Sequence, residues 1–403
     1  MSKVEGNERA TSPNVNFAHI ASFAIGITLL GVSGGIYGTT FNNFLSDEFN
    51  MGSIERGQLE LPRELPGFLC ALLSGALHFL SEPKATAVAS LLIAVGMAML
   101  PFTGGNYAML IIALLFWSSG THLTQPFTSS IAMQLAPPHS RGTLLGRLRA
   151  LDAVAMIVGC TVVWWALERW RYEGLFTVAA LSATLSALAF TSLPDLRGKK
   201  QPRPKFVWDR RYGLFYLLNI FFGARKQLFL TFGPWVLVRI FKQPASTFAR
   251  LWIISAPLTA LFNPAVGRLV DKWGERTVLM LDAGLLTIVC LAYAFASRIP
   301  FGLYIAFSCY ILDQLLFVTG IARATYLKKI AKDEDDVTAS LSLGVSLDHA
   351  VSMSLPWLAG YIWARYGHEY VFLIAAALSL VNMLAASFVN VTQADSGSAR
   401  ERE

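Results

Sequence analysis

"LDAVAMIVGCTVVWWALERWRYEGLF" (151–176) and "LDHAVSMSLPWLAGYIWARYGHEYVF" (347–372) align without a gap when one is shifted by 196 residues. The shift pairs Leu151 with Leu347, Asp152 with Asp348, Arg169 with Arg365, Trp170 with Tyr366, Glu173 with Glu369 and Phe176 with Phe372. The match runs on into the Ala-rich stretches that follow both copies. Similarity at a fixed offset points to one structural unit used twice.

The unit is built for lipid. Of 403 residues, 54% are hydrophobic and 15% charged, against roughly 25% charged in ordinary soluble domains. Apolar runs of about 20 residues recur along the chain, each long enough to cross a hydrocarbon core about 30 Å thick as a helix. Twelve spans are expected, near 18–43, 57–80, 85–101, 106–135, 143–167, 174–193, 212–240, 246–270, 277–297, 300–327, 338–364 and 369–391. A β-barrel needs strands that alternate polar and apolar residues, whereas "ASLLIAVGMAML" (89–100) is apolar all round. The expected fold is therefore an all-α integral membrane protein with two pseudo-symmetric six-helix bundles.

The net charge of +7 reads as orientation and not as nucleic-acid binding. Starting from an inside N-terminus, roughly two-thirds of the 33 Lys and Arg fall on the inner side, which makes both termini cytoplasmic. The polar first 17 residues and the long first span lack the pattern of a removable signal peptide. Cys70, Cys160, Cys290 and Cys309 lie scattered in spans without metal-ligand spacing, so neither a disulfide framework nor a zinc site is expected from them. The basic, Pro-rich stretch "PDLRGKKQPRPKFVWDRR" (194–211) reads as a linker. The expected organisation is a tail (1–17), a first bundle (18–193), the linker (194–211), a second bundle (212–391) and a second tail (392–403).

At "NPAVGRLVDKWGERTVL" (263–279), Gly267, Asp271, Lys272, Gly274 and Arg276 resemble the loop signature of the major facilitator superfamily, placed here between spans 8 and 9. The signature departs from the family at Glu275, where a basic residue is usual. "RGTLLG" (141–146), opening span 5, is also similar to that family. The resemblance implies a carrier that rocks its halves around a central site, with spans 1, 4, 7 and 10 lining the cavity and 2, 5, 8 and 11 gating it. Asp271 is the expected inner latch, paired with Arg141 (beside Gly142), Arg147 or Arg323. The first-half copy, "GALHFLSEPK" (75–84), has Phe79 where the acid belongs and Glu82 where the second glycine belongs, so any latch is asymmetric. Span 5 lacks the Gly-Pro pair of the family's drug and proton antiporters, which lowers that reading.

Ionisable groups at membrane depth are costly and therefore informative. Span 7 holds Arg225, Lys226 and Gln227 near its middle; span 10 holds Asp313, span 11 Asp348 and His349, and span 5 Asp152. Two central cations suggest an anionic substrate group, bound by Arg225, Lys226 and Gln227, unless they neutralise the acids of neighbouring spans. Asp313 is the first choice as proton-coupling acid, with Asp348 and His349 as further candidates, and Asp313 is also counted with the substrate-binding residues. Asp282 is expected to answer loop cations. Thr121, His122 and Gln125 fall within one turn of span 4 and can offer hydrogen bonds to a ligand. Span 1 carries Gly31, Gly34, Gly35 and Gly38, suited to close packing. Tyr37, Asn42 and Asn43 stand toward its outer end.

Span 2 opens with "LPRELPGF" (61–68). Two prolines remove helical donors, and Arg63, Glu64 and Glu60, with Arg56 one turn earlier, form the expected outer gate. No phosphate loop or catalytic cluster is recognisable, so neither ATP-driven pumping nor catalysis is expected, and no cofactor or metal. The expectation is a monomeric secondary transporter in a bacterial cell membrane, moving a small organic or inorganic anion, with proton coupling. Drug or cation efflux by proton antiport, and a non-transporting sensor on the same fold, are the alternatives.

Overall fold

Backbone polar groups inside hydrocarbon must be satisfied within their own segment, and this chain satisfies them with helices. The computed structural model describes residues 17–136, 141–196 and 209–390, leaving out the side chains of 141–143 and 334–335, and contains no strand among them. Thirteen α-helices follow in order: α1 (Phe17–Phe49), α2 (Ser53–Gln58), α3 (Glu60–Phe68), α4 (Cys70–Ala76), α5 (Glu82–Met99), α6 (Tyr107–Leu135), α7 (Arg141–Thr191), α8 (Gly213–Arg239), α9 (Ala245–Phe295), α10 (Gly302–Leu316), α11 (Gly320–Ile330), α12 (Glu334–Tyr366) and α13 (His368–Ser387).

Among the described residues, seven stretches are long and apolar enough to cross a membrane. Two of them, Leu144–Thr191 and Ala245–Arg298, hold 48 and 54 residues. At 1.5 Å per residue each would exceed about 70 Å, more than twice the hydrocarbon core. Each is two crossings joined at a sharp turn, at Arg171 in α7 (φ 50°) and at Gly274 in α9 (φ 76°). The rods that hydropathy misses are α2–α4, α8 and α12, the ones carrying Arg56, Glu60, Arg63, Arg225, Lys226 and Asp348. Counting them, with α10 and α11 as one interrupted span, gives twelve crossings in two bundles of six. Both ends of the helical bundle lie on one face, here the tail face, opposite the far face.

The repeat shows in the turns. Arg171 and Gly367 (φ 107°) break the chain at positions 196 residues apart, the offset of the sequence match. The site of each half repeats as well: Gly31 on α1 abuts the Asp152 carboxylate of α7, and Gly223 on α8, 192 residues later, abuts that of Asp348 on α12.

Glycine sets how closely α1 approaches α7. Gly35 lies against the Met156 carbonyl and Gly159 against that of Val32, while Gly34 and Gly38, on the other side of α1, face open space. Small residues on both helices let backbones meet, which supplies van der Waals contact that lipid alone would not drive.

The halves meet only in part. One apolar core joins Ile36, Phe41 and Phe44 of the first half to Phe229, Phe232 and Trp235 of the second. Nearer the tail face the core divides: Phe23, Leu135, Leu148 and Phe190 pack within the first half, and Tyr212, Val266, Val270 and Tyr326 within the second. On the far side α2 closes on α12, where a Cβ at Gly360 would lie 2.5 Å from the Ser53 carbonyl and Ser53 Oγ donates to the Gly360 carbonyl at 3.0 Å. Asn43 Nδ2 donates to the Gln243 carbonyl at 2.8 Å, adding to the same closure. The molecule is sealed on the far face and parted on the tail face.

A positive φ strains a residue with a Cβ by about 1–3 kcal/mol. Arg171→Gly should therefore raise stability in detergent by about 1 kcal/mol, whereas Gly367→Ala should lower it by about 1–3 kcal/mol. Thermal unfolding of the two variants beside the wild type checks both signs.

Candidate functional site

The "LPRELPGF" stretch falls on α3, in the seam between the halves. Its prolines do not scatter the helix, for Arg63 N still donates to the Leu59 carbonyl (3.2 Å) and Leu69 N to that of Leu65 (3.0 Å). What the segment carries is a charge cluster around Glu60, which has no solvent exposure. Arg56 Nη1 donates to Glu60 Oε1, and Arg63 Nε and Nη2 reach Glu60 Oε2 at 2.7 and 2.6 Å. Gln227 Nε2 of α8 donates to the same oxygen at 2.9 Å, from the other half. Arg56 Nε also donates to Asn42 Oδ1 of α1 at 3.0 Å.

The chain of contacts continues through Arg63 Nη2 to Glu64 Oε1 (3.0 Å) and from Glu64 Oε2 to His349 Nδ1 of α12 (3.1 Å). Ser118 Oγ of α6 donates to the Arg63 carbonyl. Two arginines thus balance two glutamates, and every charge has a partner. Such pairing is required, because an unpaired buried ion costs several kcal/mol. Arg63, Glu64 and Glu60, the residues expected at an outer gate, stand in one cluster, which Arg56, Asn42, Gln227 and His349 join.

A second balanced set lies inside the second half. Arg225 pairs with Asp313, both buried, and Lys226 pairs with the partly exposed Asp348. Arg323 stands over the Phe222 ring at 3.6 Å, with the guanidinium of Arg225 at 5.5 Å from the same ring. Asp282, also buried, lies in the field of Arg323 and Arg225. Three cations face three carboxylates.

Several expectations change here. Arg225 and Asp313 are not open to a ligand, since each is held by the other within the second bundle. Gln227 is committed to Glu60. Asp282 is buried within the bundle, in the field of Arg323 and Arg225, and does not face loop cations. Arg323 is interior to the second half and is not the partner of Asp271. Adjacent residues on a helix point about 100° apart, so Asp348 faces Lys226 while His349 faces Glu64, and the two form no relay.

On the tail face Asp271, Lys272 and Arg276 are exposed and make no hydrogen bond or ion pair among the described residues. Arg147 is exposed; Arg141 and Gly142 open α7, but their side chains lie outside the described residues. Gly267 faces open space, and Gly274 supplies the positive φ of the α9 turn. Glu275, the departure from the family pattern, is buried and pairs with Lys329 of α11 at 2.7 Å. In the first half Glu82 accepts hydrogen bonds from Ser130 Oγ (2.9 Å) and Gln134 Nε2 (2.6 Å), tying α5 to α6.

A cavity of about 420 Å³ is walled by α1, α6 and α7. Thr121, Thr124, Gln125 and Thr128 line it with Arg149 and Asp152, and Tyr37 and Trp117 stand where it meets the seam. Their rings stack at 3.7 Å between centroids. A smaller cavity of about 190 Å³ in the second half is lined by Asn219, Lys226, Arg323 and Asp348. Of the expected ligand-binding residues, Thr121, Gln125 and Lys226 line these cavities, whereas His122 does not. Sequence reasoning missed Trp117, Thr124 and Thr128; the spacing of Thr121, Thr124 and Thr128 along one helical face was the available signal.

Solved structures show the same fold. The nucleoside transporter NupG has a TM-score of 0.76 at 18% identity, covering 91% of this chain and 98% of that one. The xylose transporter XylE from E. coli, in an inward open conformation, has a TM-score of 0.70 at 15% identity, covering 93% and 97%. A bacterial homologue of the human lysosomal transporter Spinster has a TM-score of 0.68 at 15% identity, covering 91% and 95%. No curated protein matches the chain by sequence. The Major Facilitator Superfamily profile matches residues 23–335, and the chain belongs to that superfamily of multi-pass membrane transporters.

Proposed function

We propose that the protein is a secondary transporter that carries a small, neutral, hydrogen-bonding solute by alternating access. The observation that carries this reading is the 420 Å³ cavity, within the usual range for small-molecule sites, lying on the parted side of a molecule whose far side is sealed. Its polar groups are mostly hydroxyl and carboxamide, its two charges, Arg149 and Asp152, cancel, and the Tyr37–Trp117 pair offers an aromatic face. The basic residues favour a cytoplasmic tail face, which makes this the inward-open state.

Asp152 is the coupling acid in this reading. It lines the cavity and makes no ion pair among the described residues, although its counterpart Asp348 holds Lys226. The offset that relates Gly31 to Gly223 puts Gly34 where Lys226 stands, so the first half lacks that cation. Passing through a closed state with a carboxylate that no ion pair holds is costly, and taking up a proton lowers the cost.

A second reading, transport of an anion, draws on the smaller cavity. There Lys226 and Arg323 outnumber Asp348, and Arg323 Nη1 has no hydrogen-bond partner among the described residues. An anion would compete with Asp348 for Lys226.

Uptake into proteoliposomes of nucleosides, pentoses and carboxylates, with and without a pH gradient, separates the two. Asp152→Asn should abolish accumulation driven by the gradient while leaving solute exchange; accumulation that survives the substitution sinks the coupling role. Lys226→Gln should leave neutral uptake within about twofold and lower anion uptake at least about tenfold, as expected for loss of about 1.4 kcal/mol or more of binding. For the buried pair, Arg225→Met or Asp313→Leu alone should cost about 3–5 kcal/mol of stability and the double variant much less. Unchanged stability in Arg225→Met with uptake lost would instead make Arg225 a substrate ligand.

A further inference from the structure

Glu64, His122 and His349 come from three helices, α3 and α6 of the first half and α12 of the second. Each offers one ligand atom, and these atoms all lie within 4.8 Å of one another. None of the three lines the cavities described above, so the cluster belongs to the seam and not to the solute path.

The chemistry of the set is that of a metal site. His122 Nδ1 lies 3.0 Å from the Ser118 carbonyl. Donation there fixes the tautomer and leaves the Nε2 lone pair free, as is usual for a ligating imidazole. Glu64 is oriented by Arg63 through Oε1 while Oε2 faces His349 Nδ1 at 3.1 Å. Gly67 makes the convergence sterically possible: a Cβ there would lie 2.5 Å from His122 Nε2 and 2.5 Å from His349 Cε1. The two imidazole rings, 5.2 Å apart between centroids, occupy the space that a side chain at 67 would need.

We propose that Glu64, His122 and His349 bind a divalent transition-metal ion, of which zinc is the natural probe, and that the bound ion clamps the far-face seam. Two imidazole nitrogens and one carboxylate oxygen leave a fourth, tetrahedral position for water, which suits zinc or cobalt and not calcium or magnesium. Coordination through His349 Nδ1 displaces the hydrogen that bridges it to Glu64, which moves to Nε2 of a neutral ring or leaves to solvent from an imidazolium, as three metal–ligand bonds form. Opening the far face requires α3 to leave α12, which pulls His349 away from the other two ligands. The ion therefore favours the sealed far face, about 100-fold when its free concentration is 100 times its Kd. This inhibition rests on alternating access, whereas the binding does not.

Full-length protein in detergent is titrated with cobalt(II), whose visible absorption reports tetrahedral coordination, and then with zinc in competition and by thermal shift. Saturable one-to-one binding is expected, weakened at least about 100-fold by His122→Ala or His349→Ala and restored in part by His349→Cys, which keeps a ligand. Gly67→Ala should weaken it as well. Absence of saturable binding, or binding indifferent to both histidine substitutions in folded protein, overturns the proposal. In proteoliposomes zinc should inhibit uptake reversibly with chelator, and full occupancy without inhibition overturns the clamp. Zinc bound through all three residues in protein that moves no solute sustains the site and counts against the transport reading.

Discussion

Glu60 is a carboxylate with no access to water, and the arrangement of the two halves depends on how its charge is met. Arg56 and Arg63 meet it from its own segment and Gln227 from the opposite half. In a low dielectric each of these groups would be costly alone, and with Glu64, which pairs with Arg63, the two arginines and two glutamates are neutral together. The far side of the molecule stays shut because separating the halves takes Gln227 from Glu60 and His349 from Glu64 at once.

The same constraint governs the second bundle, where Arg225, Lys226 and Arg323 are set against Asp313, Asp348 and Asp282. Charge balance there turns apparent ligands into structure. Asp152 and Lys226 are among the charged groups that remain at a cavity wall. The two halves differ in this respect: the repeat preserved the carboxylate at 152 and 348 but supplied a cation, Lys226, in one copy and a glycine, Gly34, in the other. The two bundles, alike in orientation, therefore differ in charge at matching positions.

The tail side shows the complementary state. Asp271 and its basic neighbours project into solvent, and the apolar cores of the two halves are separate there. Where the chain departs from the family signature, the replaced residues do other work: Glu275 binds Lys329, and Glu82 binds Ser130 and Gln134. Each departure stiffens its own half while leaving the gap between them free to close.

The sequence by itself determined the twelve apolar rods, the doubling of the unit and the segments that would carry charge. Those properties are local: long apolar runs and an ungapped match at an offset of 196 residues. It also located the charge cluster around Glu60, because Arg56, Glu60 and Arg63 lie one turn apart on one stretch. It could not assign Arg225, Lys226 and Gln227 to their partners, since adjacent helical residues point to different neighbours and the neighbours come from distant parts of the chain. Only the tertiary structure decided that Arg225 belongs to Asp313, that Gln227 crosses to Glu60, and that His122 and His349 converge on Glu64 over the one residue at that crossing without a side chain. The physical reason is that pairing of buried charge is settled by which helix faces which, and helical periodicity tells the direction of a side chain but not what waits there.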